Sequence, residues 1–113
     1  LAKYRVYVIE LSKKAFTESK KFRTANPHYN GILECLYVGM TSKRPDVRFQ
    51  EHKEGKRSKR GFKLSSSIVH KYGLYLRPSL YQHLSATSRA AALEAEENLA
   101  LELRKKGYAV WYN

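Results

Sequence analysis

Residues 4–11, YRVYVIEL, are β-branched and aromatic and apolar on both faces, which predicts a first strand in a central position of a sheet. Residues 12–30 are polar and lysine-rich and end in NPHYNG, the pattern of a long connection with room for a helical turn. LECLYVG, residues 33–39, reads as a second strand able to pair antiparallel with the first. Pro45 suits the first turn of a helix, PDVRFQEHKE continues it, and Gly55 is placed to stop it. FKLSSSIVHKYG, residues 62–73, predicts a second short helix stopped by Gly73, and SLYQHL after Pro78 a third strand. Ser88 is placed to cap a long helix over residues 89–106, closed by Gly107, with AVWYN as a strand-like tail. The order β-β-α-α-β-α predicts an α+β fold, a small, mainly antiparallel three-stranded sheet flanked by helices.

At 113 residues the chain suits one domain, residues 1–113, with no internal boundary and no repeat. A start at Leu1 instead of Met fits a chain trimmed or cut from a longer polypeptide. Charge adds the most. Twenty-two lysines and arginines against ten acidic residues leave a net charge of +12, far more than solubility needs, which points to a polyanionic partner. With 42% apolar residues and nine tyrosines, that charge decorates a folded core. The single cysteine, Cys35, excludes an internal disulfide and leaves no zinc-ligand spacing, so a reducing, intracellular setting is expected, cytoplasmic or nucleoid-associated. No apolar run approaches the length of about 18 residues that a membrane span requires, and no membrane partner is expected.

Three groups of residues are candidates for chemistry. On the long helix, Ala92, Ala95, Glu96, Leu99 and Leu103 share one stripe, while Glu94 and Glu102 point away and Glu97 lies near its edge. Glu96 therefore needs a cation, a hydrogen-bond partner or a route to water, because a bare buried carboxylate costs several kcal/mol. A salt bridge at the rim of the core would satisfy it. Arg48 and His52, four residues apart, share one helical face; taken alone they read as part of a solvated surface. The basic loop GKRSKRG, with Lys56, Arg57, Lys59 and Arg60, and the pair Lys43 and Arg44 before the first helix are suited to tracking a nucleic-acid backbone.

Taken together, VYV in the first strand, YVG in the second, the threonine two residues after that glycine, RFQEH on the next helix, Glu96 on a late helix and the terminal Asn113 resemble the GIY-YIG nuclease superfamily over almost the whole chain. The resemblance maps the family's two tyrosines to Tyr7 and Tyr37, its arginine to Arg48, its histidine to His52, its metal-binding glutamate to Glu96 and its last asparagine to Asn113. Arg5 stands where the family has glycine, and Met40 where some members have a lysine, so that either Lys43 substitutes for that lysine or its function is absent here. The resemblance implies a DNA endonuclease using one Mg²⁺ or Mn²⁺ at Glu96 and no small-molecule cofactor. Tyr37, assisted by Tyr7, would accept the proton of the attacking water, Arg48 would hold the phosphate, His52 would relay a proton or donate to phosphate, and Asn113 would order the site. Whether the DNA is single-stranded, duplex or branched stays open. A non-catalytic basic nucleic-acid-binding module of the same fold is the competing expectation.

Overall fold

The computed structural model describes residues 4–55 and 67–112. Asn113, Lys56, Arg57, Lys59, Arg60 and the first part of the predicted second helix lie outside the described residues. Strand β1 (Arg5–Leu11) is followed by helices α1 (Lys14–Glu18) and α2 (Lys20–Ala25), strand β2 (Cys35–Thr41), helices α3 (Pro45–Glu54) and α4 (Ser67–Tyr72), and strand β3 (Gly73–Leu76). A 3-10 turn (Pro78–Leu80), the long helix α5 (Arg89–Lys106) and strand β4 (Ala109–Tyr112) complete an α+β fold. Among the described residues no helix is long and apolar enough to cross a membrane.

The first strand is central, as its two apolar faces require, and the sheet order is β3-β1-β2-β4. β1 and β2 pair antiparallel in one unbroken register, from Arg5 opposite Thr41 to Leu11 opposite Cys35. The sheet departs from the expected three strands. It has four among the described residues and is mixed, because the tail segment β4 pairs parallel to β2. The third strand is also displaced: Gly73–Leu76 pairs with β1, whereas the SLYQHL segment folds on itself. With β2 on one edge of β1, only the other edge is open. β3 takes it directly after α4, and the amide of Arg77 extends the pairing by donating to the Val8 carbonyl. Residues 79–84 do not continue the pairing: the amides of Leu80, Tyr81 and Gln82 turn back onto the carbonyls of Arg77 and Pro78, and the chain meets the first strand's line again only at Ala86, which exchanges backbone bonds with Tyr4.

The connection over residues 12–30 holds two short helices rather than one turn, and it ends in a residue that finishes the sheet. Buried Asn26 donates from Nδ2 to the Val110 carbonyl (3.0 Å) while its Oδ1 accepts from the Val110 amide (2.8 Å). That amide therefore makes the two bonds a neighbouring strand would make, and it closes the edge of β4 without exposing a pairing template. Arg104 of α5 reinforces it, donating to both Asn26 Oδ1 and the Val110 carbonyl. The two longest helices end as the sequence predicts. Ser88 accepts from the Ala91 amide at the start of α5, and Gly55 and Gly107 take left-handed conformations after α3 and α5.

Candidate active site

The YVG motif has a steric meaning once the register is fixed. Tyr7 lies opposite Gly39 in the β1–β2 pair, and a Cβ on Gly39 would sit 2.6 Å from the Tyr7 hydroxyl oxygen and 2.9 Å from Cε2 of Tyr37. Absence of a side chain at 39 is what lets the two rings approach, with centroids 6.1 Å apart. Gly39→Ala should cost about 1–3 kcal/mol in a chemical denaturation experiment, since both rings are buried and have nowhere to retreat. The same variant should lose any activity that depends on the tyrosine pair.

His52 closes the cluster from α3. Its Nε2 lies 2.8 Å from the Tyr7 hydroxyl, and its ring stands edge-on to Tyr37 at a centroid distance of 5.5 Å. Residue 52 has no exposed surface, so the solvated-surface reading of the Arg48–His52 pair does not hold. Burial, with the nearby Arg48 guanidinium, pushes the His52 pKa down to about 4, against the opposing pull of Glu51. Burial likewise holds the Tyr7 hydroxyl well above the ordinary tyrosine range; Tyr37 adds to this and Arg48 opposes it. Near neutral pH the Tyr7–His52 contact thus joins two uncharged groups. The tautomer sets the direction of the bond: Tyr7 donates to Nε2 when the ring carries its proton on Nδ1, and Nε2 donates to the Tyr7 oxygen in the other tautomer; only the first leaves Nε2 free to take a proton across the contact.

The inward face of α3 is largely polar, with Phe49 beside two buried polar residues, a feature the sequence reading missed. Its buried residues are Glu51 and His52. Glu51 accepts from Lys43 on one oxygen and from Arg48 (3.3 Å) on the other, and these bonds, led by Lys43, hold its carboxyl below the usual range. Two cations expected to meet nucleic acid are therefore oriented by a carboxylate that the sequence reading did not single out. The signal available was negative: α3 has no apolar stripe, and with Phe49 its one large apolar side chain packed against the core, polar residues had to share the inward face. Arg44 behaves differently. It is exposed and pairs with Asp46 at 2.8 Å, away from this network.

Lys43, Arg48 and Glu51 line a surface cleft of about 410 Å³ together with Tyr4, Thr41 and Arg89. Arg89 stands in the first turn of α5, two turns before Glu96 on the same helical face, and it is the charge that acts most on Glu96. Glu96 is buried, at 2% exposure. No described residue gives its carboxylate a hydrogen bond or an ion pair, so the salt bridge at the core rim has no partner among the described residues. Burial pushes its pKa up to about 7, against the pull of Arg89. Glu97, one residue on, is exposed.

Tyr7, Tyr37, Arg48 and His52 thus meet in one cluster, Lys43 joins it through Glu51, and Arg89 connects the cleft to Glu96. Among the described residues no group of three or more His, Cys, Asp or Glu side chains is gathered for a metal. Comparison of the chain with family models, with curated proteins and with solved structures finds no match in any of the three.

Proposed function

We propose that the chain is a metal-dependent endonuclease that hydrolyses DNA phosphodiester bonds, a GIY-YIG-type enzyme acting inside the cell. The observation that carries this reading is the buried Tyr7–His52 contact packed against Tyr37 over Gly39, with Arg48 on the adjoining cleft. A purely structural core has little use for a polar chain of this kind, since apolar side chains would fill the same space at lower desolvation cost. The antiparallel β1–β2 pair delivering its chain into α3 supports the same family, and the mixed four-stranded sheet is compatible with it.

In this reading Tyr37 takes the proton of the attacking water while its own proton passes to the Tyr7 oxygen. Tyr7 in turn hands its proton to His52 Nε2. The raised pKa of Tyr7 suits a relay and opposes a standing phenolate there. The low pKa of His52 makes the last transfer uphill, and the neighbouring Glu51 carboxylate offsets part of that cost. Arg48 presents its guanidinium to the phosphate, where it stabilises charge that grows in the transition state. Lys43 and Arg89 add positive potential to the same cleft.

Glu96 fits a divalent cation, Mg²⁺ or Mn²⁺, because a buried carboxylate with a raised pKa and no described partner is stabilised by a positive ion beside it. When bound, such an ion supplies positive charge at the phosphoryl oxygens and a more acidic water. Labelled single-stranded, duplex and branched DNA incubated with the protein, with Mn²⁺ or with EDTA, tests the reading. Cleavage of at least one substrate only in Mn²⁺ is expected. Tight binding of all three with no cleavage at any metal concentration would instead establish the non-catalytic binding module.

A further inference from the structure

We propose that Trp111 is the floor of a second nucleic-acid surface, one that takes the unpaired bases of a single DNA strand. Two grooves, of about 440 and 450 Å³, meet at Trp111 and share Lys20 and Lys21 of α2. Beside the lysines, Thr24 and Ala25 give one groove an apolar wall; Lys71 of α4 rims the other. The acid there, Glu18, already accepts a bond from the Tyr72 hydroxyl at 2.8 Å. An apolar floor with a cationic rim matches a nucleotide, whose base is apolar on its faces and whose phosphate is anionic. Lysines serving solubility alone would not require an aromatic ring and an apolar wall between them.

Position adds to the chemistry. Trp111 pairs in register with Tyr37, so the two side chains leave adjacent strands on the same face of the sheet, about 4.8 Å apart along the hydrogen-bonding direction. A strand stacked on Trp111 therefore lies beside the strand that carries the proposed proton acceptor. Paired bases hide their faces in the duplex, so this surface favours single-stranded or splayed DNA over intact duplex. It concerns binding only and needs no cleavage, so its failure and that of the nuclease reading are separate results.

Trp111 is the sole tryptophan, which makes its emission a direct reporter. Titration in EDTA with an oligothymidine and with a length-matched abasic oligonucleotide separates base stacking from backbone charge. The oligothymidine should quench Trp111 emission and bind roughly tenfold more tightly than the abasic chain, the ratio expected for stacking on one aromatic ring. Lys20→Glu with Lys21→Glu should weaken the binding and reduce its salt dependence. Unquenched emission at saturating oligothymidine, equal affinity for the abasic chain, or unchanged binding by the double lysine variant each overturns the assignment.

Discussion

Tyr37→Phe is expected to fold, to bind DNA with wild-type affinity and to cleave it about 10²–10⁴-fold more slowly, the range associated with loss of one proton-transfer group. The substitution removes a single oxygen and keeps the ring that packs against Gly39, Tyr7 and His52. A core tyrosine of no chemical importance would behave differently: stability would change modestly and the cleavage rate would not. Tyr7→Phe breaks the 2.8 Å contact with His52 and leaves a buried imidazole short of one partner, so it should lower both stability and rate. Single-turnover cleavage and urea denaturation on the two variants separate the roles. Undiminished cleavage by Tyr37→Phe would move the proton acceptor to Tyr7 or His52.

The parts of the fold that were legible in the sequence are those in which local chemistry and tertiary packing agree. β1 announced itself through β-branched and aromatic residues on both faces, and it is central. α3 and α5 carried their own stops, and Gly55 and Gly107 adopt the left-handed conformations those stops need. The third strand failed for an equally local reason. Gly73 ends α4 and starts β3 with no linker between, and a Cβ there would lie 2.6 Å from the Val69 carbonyl oxygen. A glycine read as a helix stop gave no hint that the very next residues pair with β1.

The site was half legible. Tyr7, Tyr37, Arg48 and His52 could be picked out because they keep a recognisable order along the chain, and the fold gathers them. Glu51 and Arg89 could not, since among ten acids and twenty-two basic residues nothing local marks these two. Their importance comes from where α3 and the first turn of α5 lie, and that depends on tertiary contacts. Asn26 is similar: an asparagine before a proline signals a turn, whereas here its amide completes a strand edge more than eighty residues away.

Glu96→Gln is the second large effect, and it separates an enzyme from a binder. The glutamine keeps the shape and removes the charge, so this variant should fold, bind DNA and fail to cleave it. Mn²⁺ should raise the melting temperature of the wild type and leave that of the variant unchanged, because a ligand stabilises only the state that binds it. Glu97→Gln alters an exposed residue and should match the wild type in both respects. A separate signature appears in EDTA. In the wild type the Glu96 pKa is raised to about 7 in the folded protein, so its contribution to stability is full below the ordinary carboxylate pKa near 4.5 and is lost as pH rises to about 7. His52 works in the opposite sense: with its folded pKa lowered to about 4, its contribution is full above about 6.5 and is lost as pH falls toward 4. Each excursion is on the order of 3 kcal/mol, and over the shared range the two slopes oppose each other. Removing Glu96 leaves the histidine slope alone. Metal-free Glu96→Gln should therefore be more stable than the wild type at pH 7 and lose stability on acidification from pH 6.5 to 4.5, while the wild-type curve stays flatter. Thermal melts across that range, beside cleavage in Mn²⁺, decide the assignment: an active Glu96→Gln protein whose melting still responds to Mn²⁺ would rule out Glu96 as the metal ligand.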